Sequence, residues 1–215
     1  MRLRSAAFAA AWVALACSSG VGPGSDASSA SDDFERAQLG PSWNTAFGSA
    51  AGIIGGKDFG ALSPGPVSVD WVPAQFAADQ YSEVVVASGK DPNMMVQPHV
   101  RRQSGTLARY GFHHNSEKSP QVWEIKYDGV PTADVRILAS LASSAPVAGD
   151  VIRIEARGRE ISGYLNGQRI LAATDNAPDA ILGTGGTGIT ARLESGTSTT
   201  YPTAIAASWT GGSLK

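Results

Sequence analysis

From Tyr81 onward, apolar and polar residues alternate in short runs. In Val151–Arg157, Ile152, Ile154 and Ala156 share one side, while Arg153, Glu155 and Arg157 share the other. A period of two is the mark of a β-strand with one buried face. The same pattern, or a richness in β-branched and aromatic residues, runs through Tyr81–Ser88, Met94–Arg102, Leu107–Asn115, Gln121–Gly129, Asp134–Ala142, Asp150–Gly158 and Glu160–Leu171. Turn-forming stretches at Gly89–Pro92, Ser116–Pro120 and Ala145–Gly149 separate them. Closely spaced strands of this kind predict an all-β sandwich or barrel. Asn166-Gly167 between two apolar runs predicts a two-residue type I′ hairpin. A short helical turn is expected near Ala74–Asp79. The core faces are expected to include Trp123, Ile125 and Tyr127; Ile161, Gly163 and Leu165; and Ile205, Ala207 and Trp209. Antiparallel sheets of this kind commonly keep the other face wet.

That wet face carries the candidate chemistry. All three histidines and three arginines fall within Gln97–Asn115. Period two puts Gln97, His99 and Arg101 on one side of their strand, and Arg109, Gly111 and His113 on the same side of the next. Glu124 and Lys126 follow on a third strand, and Glu83 is a further candidate. The expected result is a polar surface of mixed charge: Gln97, His99, Arg101, Arg109, His113, Glu124 and Lys126. Directional donors and acceptors of this sort suit a hydroxyl-rich ligand, with Trp43, Trp71 and Tyr164 as candidates for stacking. The plainer alternative is a hydrated sheet face that binds nothing. A shared metal is disfavoured because adjacent His113 and His114 must point to opposite faces. The chain has no HExxH motif and no Cys/His cluster.

The chain has 215 residues, of which 42% are hydrophobic and 17% charged, with a formal net charge of -2. This composition fits one core-bearing domain plus an extension. The balance holds no basic run, so nucleic acid is not an expected partner. The extension is at the N-terminus. Arg2 and Arg4 precede an uncharged run, Ser5–Ala16, too short to span a bilayer. It ends in "ALAC", and Cys17 is the only cysteine. This segment resembles a bacterial lipoprotein signal, although Leu15 sits one place later than that pattern has it. The resemblance implies a signal peptide over 1–16, a lipidated Cys17, export, and anchoring at the outer membrane or cell surface of the bacterial envelope. An ordinary signal peptide cut nearby would account for the same residues without lipid. Residues 17–31 read as a Ser/Gly-rich flexible tether with a reach of about 20 Å. The domain is then 32–215.

The domain opens with "DDFERAQLGPSWN" (Asp32–Asn44), carries "GDVIRIEARGREISGYLNGQRILAATD" (Gly149–Asp175) and closes with "SWTGGSL" (Ser208–Leu214). Together these resemble the laminin-G-like, concanavalin A-like lectin/glucanase superfamily. The resemblance implies a jelly-roll sandwich of two antiparallel sheets, one of them concave. Glycan binding on the concave face or its rim is the function it implies first. It leaves room for a structural calcium, with Asp32, Asp33 and Asp58 as oxygen donors, and names no other cofactor. A structural or adhesion module contacting protein or envelope partners stays open. So does an enzyme, either a glycosidase or a polysaccharide lyase that would use Gln97, His99, Arg101 and Tyr110. Against the glycosidase, the acidic E.D.(.)E strand motif of the related glucanases is absent. Against the lyase, Tyr110 falls with the core and the companion motifs are missing. There is no G-x-S-x-G from which serine hydrolase chemistry could start.

Overall fold

A computed structural model describes residues 29–88, 94–129, 135–193 and 201–215. Cys17 and nearly all of the expected leader and tether lie outside the described residues. Within them the chain forms β1 (Ser29–Asp32), β2 (Trp43–Gly48), β3 (Ala51–Ile54), β4 (Asp58–Ala61), β5 (Val67–Trp71), β6 (Gln80–Val86), β7 (Met94–Arg102) and β8 (Arg109–Asn115). It continues with β9 (Val122–Asp128), β10 (Val135–Ala142), β11 (Val151–Arg157), β12 (Glu160–Leu165), β13 (Gln168–Thr174), β14 (Gly186–Leu193) and β15 (Thr203–Ser213). One sheet runs β13-β12-β11-β6-β15-β4-β3, with β1 added along β15. The other runs β10-β9-β8-β7-β14-β5-β2. All pairings are antiparallel. The fold is an all-β sandwich of two sheets.

The alternation of the sequence becomes the core between those sheets. Ile152, Ile154, Ala156 and Ile161 face Phe112, Trp123 and Ile125 across the gap, all fully buried. Phe112 stacks on Trp123 with ring centroids 4.9 Å apart. Fully burying a side chain of this size stabilises the fold by about 1.5–3 kcal/mol. Asn166 and Gly167 take φ of 51° and 78°, so both residues of the β12–β13 turn are left-handed, as a type I′ hairpin requires.

The opening motif is a staple. The Asp32 carboxylate accepts from the Phe34 backbone N–H at 2.8 Å, from both Arg36 terminal nitrogens at 2.5 and 2.6 Å, and from Trp43 Nε1 at 2.6 Å. Burial works to raise the Asp32 carboxyl, but these bonds overcome it and hold the group below the ordinary aspartate range. Its lone pairs are therefore taken, which removes it as the calcium donor expected above. Among the described residues no three His, Cys, Asp or Glu side chains gather in a way that would hold a metal.

Three local expectations are corrected. Ala74–Asp79 contains no helical turn; it is irregular, and Phe76 makes an isolated bridge to Gly185. Ala207 is only half-buried, because the β15 register shifts between Ala206 and Ser208 and breaks the period. Ser29–Ser31, placed with the tether, are strand β1, paired with Gly212, Gly211 and Thr210.

Candidate binding face

The outer face of the seven-stranded sheet, turned away from the inter-sheet core, collects most of the predicted site. Gln97 and His99 come from β7, Arg109 and His113 from β8, and Glu124 and Lys126 from β9. Register seats His113 opposite Glu124 and His99 opposite Gly111. The face is not wet, as the alternation suggested. Gln97 and His99 are fully buried, and Glu124 and His113 are 1% and 2% exposed. Charged groups this deep need partners, and the partners come from strands that the sequence reading passed over.

A chain of hydrogen bonds crosses the sheet. Asp70 on β5 accepts from His99 Nε2 at 2.9 Å. A carboxylate only accepts, so Nε2 carries the proton and Nδ1 accepts from the Thr190 hydroxyl at 3.1 Å. Thr190 in turn accepts from Ser68 at 3.0 Å, and Ser68 accepts from Arg109 Nη1 at 2.9 Å. Burial pushes the His99 imidazole down, against the pull of Asp70, so the neutral form that this chain requires is favoured. Arg102 forms a further ion pair with Asp70.

A second cluster surrounds Asp128. It accepts from Arg109 Nε at 3.2 Å and pairs with Lys126 at 3.1 Å. Burial alone would raise the Asp128 carboxyl; Lys126 and Arg109 overcome it and hold it below the ordinary range. Burial likewise lowers Lys126 and Arg109, with Asp128 opposing. At the far end Glu124 accepts from Asn115 at 3.0 Å and pairs with Lys118. His113 Nε2 stands 3.6 Å from Glu124, too far for a hydrogen bond. Burial first, then Lys126, Arg192, His114 and Lys118, drive the His113 imidazole well below its ordinary value.

Two glycines make room for these side chains. A Cβ on Gly111 would fall 1.8 Å from Gln97 Nε2, and one on Gly188 would fall 3.0 Å from His99 Nε2 and 2.0 Å from the Val69 carbonyl oxygen. Only glycine lets Gln97 and His99 lie down across the neighbouring strands.

Among the described residues, four buried polar atoms of this face remain without a partner: Gln97 Oε1, His113 Nδ1, Arg102 Nε and Arg192 Nε. With the His113 proton on the nitrogen nearest Glu124, Nδ1 is an acceptor. The face thus presents two unmet acceptors and two unmet donors. Each unmet buried group costs about 1–3 kcal/mol until something binds it.

Arg101 is not part of this face. Between His99 and Arg102 the β7–β14 register shifts, so Val100 and Arg101 together oppose Thr187. Arg101 takes φ +54° in this bulge, and the alternation flips after it. Its guanidinium bonds the carbonyls of Ala78, Gly158 and Ile181 at 2.6–2.7 Å. It ties three loops together, and Arg102 takes the place assigned to it. The other auxiliary candidates lie elsewhere too. Glu83 pairs with Arg153 of the other sheet at 3.5 Å, Tyr164 donates to Glu155 there at 3.2 Å, and Trp43 and Trp71 pack against Trp209 at 4.9 and 5.4 Å. Tyr110 faces the core as expected. Its hydroxyl donates to Asp175 at 2.8 Å and accepts from the Ile181 backbone N–H at 2.9 Å. Burial, and then Asp175, push its pKa far up.

Ser68, Asp70, Arg102, Asp128 and Thr190 were missed. The signal for the first two was present in "VSVDW", where Ser68 and Asp70 alternate with Val67, Val69 and Trp71. Asp128 lay inside the predicted strand Gln121–Gly129, two residues past Lys126 and so on the same face.

This architecture has solved counterparts. The chain superposes on the carbohydrate binding module CBM66 from Bacillus subtilis with a TM-score of 0.54 and 13% identity, over 80% of this chain and 92% of that one. It superposes on a Bacillus licheniformis beta-glucanase with a TM-score of 0.58 and 12% identity, over 87% and 98%. For the Crh5 transglycosylase in complex with NAG the TM-score is 0.57 and the identity 14%, over 88% and 86%. The fold is that of the concanavalin A-like lectins and glucanases. No protein-family model matches the chain, and no curated protein matches it. Identities this low establish the concanavalin A-like fold and leave function to the site itself. Binding modules and carbohydrate-active enzymes both use this fold.

Proposed function

We propose that this chain is a non-catalytic glycan-binding module, held at the bacterial cell envelope by a lipidated Cys17 and a flexible tether. One observation carries the binding reading: a partly exposed polar rim stands over an internally ordered network on the outer face of β5, β7, β8, β9 and β14. Because the four unmet atoms lie beneath the surface, a polyhydroxylated ligand bonds the partly exposed side chains beside them: Arg102 and Arg192 donate to its hydroxyls, and Asp70 and Asp128 accept from them. The partly exposed rim of Asp70, Arg102, Lys126 and Asp128, at 10–13% of side-chain area, is where it would first make contact. Val135 and Ile137, 47% and 44% exposed, pair with Asp128 and Lys126 and offer apolar ground for the C–H face of a sugar ring. The names of CBM66 and of the NAG-bound transglycosylase add support from the fold. The basic n-region, the apolar run and the lone cysteine support the anchor.

The chemistry of the face favours binding over hydrolysis. Glu124 and Asp128 both point outward from β9, four residues apart, which is about 13 Å along a strand. Paired carboxylates in glycosidases stand about 5–9.5 Å apart. Each is also neutralised within the protein, Asp128 by Arg109 and Lys126 and Glu124 by Lys118. Tyr110, the base of the lyase reading, is on the opposite side of the sheet.

A glycan array followed by titration calorimetry tests the proposal. The wild type is expected to bind at least one polysaccharide, and Arg192→Ala, at a side chain 40% exposed on this face, to weaken that binding about tenfold, the equivalent of one hydrogen bond at 1.4 kcal/mol. An array without a single binder would overturn the reading.

A further inference from the structure

We propose that a second saccharide site lies at the edge of the sandwich, in the cleft bounded by β1, the loop before β2, the end of β5 and β15. The cleft encloses about 560 Å³, within the usual range for small-ligand sites. It shares no lining residue with the outer-face network, so it stands whether or not that network binds anything.

Its chemistry is that of a sugar pocket. Trp71 is half-buried in its wall. The indole stacks on Trp209 with centroids 5.4 Å apart and planes 27° apart, and Trp43 meets Trp209 edge-on at 4.9 Å. The platform is thus rigid before any ligand arrives. Aromatic walls of this kind take the apolar C–H face of a pyranose or furanose ring, and an indole N–H adds a polar handle. Here that N–H is free. Neither Trp71 Nε1 nor the Ser42 hydroxyl has a hydrogen-bond partner among the described residues. The side chains of Ser31, Ser208 and Thr210 lie on the outer face of their sheet, with Glu83 and Val85 and opposite to Trp209, so the polar handles left to the cleft are the Trp71 N–H and the Ser42 hydroxyl.

The charges narrow the ligand class. Arg36 is consumed by Asp32 and by the Leu39 carbonyl oxygen, which accepts at 2.7 and 3.1 Å. The remaining charged group on the wall is the exposed Asp33, one of whose oxygens already accepts from the Glu35 backbone N–H at 3.0 Å. The cleft carries one uncompensated negative charge and repels carboxylates. The ligand class is a short neutral saccharide.

The indole N–H signals of the full chain, observed by 1H–15N NMR, test this. The probes are cellobiose, maltose, lactose, sucrose and N-acetylglucosamine, with glucuronate as the anionic comparison. Trp71→Phe identifies the Trp71 signal. That signal is expected to shift saturably with at least one neutral sugar, while Trp123, buried in the core, stays still and reports an intact fold. Pro41→Trp and Ser42→Trp, which add bulk to the cleft wall, should abolish the shift. Gln97→Ala, on the other face, should leave it. The proposal is overturned if no neutral sugar moves the Trp71 signal, if the filled variants respond like the wild type, if Gln97→Ala removes the response, or if glucuronate is the best ligand.

Discussion

His113 gives the outer face an acid sensitivity that can be worked out in advance. Its imidazole is 2% exposed and has no hydrogen bond at Nδ1. The positive groups Lys126, Arg192 and Lys118, with the neighbouring His114, add to the burial that holds its pKa well below the ordinary value. Glu124 is the nearest anion, but it lies beyond hydrogen-bond range at 3.6 Å and is already engaged by Asn115 and Lys118. The folded protein therefore keeps His113 neutral where the unfolded chain would protonate it. As pH falls below about 6.5, the unfolded state takes up a proton that the folded state refuses. Stability is full above that point. It declines on acidification until His113 itself titrates in the folded protein. At pH 5.5 the loss from this one residue is about 1.4 kcal/mol.

The measurement is the urea midpoint of unfolding as a function of pH from 7.5 to 5.5, for the wild type and for His113→Gln. With a urea dependence of about 2 kcal/mol per molar for a domain of this size, 1.4 kcal/mol corresponds to about 0.7 M. Between those two pH values the wild-type midpoint should fall about 0.7 M further than that of the variant. His99, also lowered by burial, adds to the slope in both proteins and cancels in the comparison. Paired carboxylates such as Asp32 and Asp128, held low in the folded state, lose their contribution near and below pH 4 and stay out of the window. Parallel curves for the two proteins would refute the argument. They would mean that His113 accepts a proton in the folded state, with Glu124 or water as its partner.

Two further outcomes are expected. Asp32→Ala strips the partner from Arg36 and from the Trp43 indole at once; because Arg36 is one-third exposed and can be rehydrated, the cost should be about 3 kcal/mol by urea denaturation, and a change under 0.5 kcal/mol would remove the staple from the account. Cys17→Ser should abolish labelling by radioactive palmitate and release the protein from the membrane fraction; unchanged labelling would place the acyl group elsewhere.

How far the fold could be read in advance follows from what period two can and cannot see. It placed Ile152, Ile154 and Ala156 inside and separated His113 from His114, because a regular strand has no other way to arrange them. It failed at Arg101, where a single extra residue in β7 exchanged Arg101 for Arg102. Nothing in the "VRRQ" of the sequence announces a bulge, since the left-handed residue is an arginine where glycine or asparagine would have been the signal. The expectation of a wet face failed for another reason. Alternation reports that one side of a strand is polar; it does not report whether that side is solvated. Glu124 takes local partners, Asn115 and Lys118, whereas Gln97 and His99 are buried because Asp128 reaches them from β9, Asp70 from β5 and Thr190 from β14. Such pairings are long-range, between residues 29 to 91 positions apart in the case of His99 with Asp70 and Thr190.

That distinction bears on what the face is for. A solvated polar face needs no internal order, because water satisfies each group separately. Here most groups are ordered by one another. The chain from Arg109 through Ser68 and Thr190 to His99 fixes a donor direction at every step, and Gly111 and Gly188 keep the backbone clear for it. What remains unmet is confined to four atoms. A network held this tightly has lost its side-chain freedom before any ligand arrives, which lowers the ordering cost of binding. Preorganisation beneath a partly exposed polar rim is what a binding face requires. Glycoside hydrolysis would require in addition a carboxylate free to exchange protons. On β9 both carboxylates are bound to cations, so the same ion pairs that build the face argue for recognition.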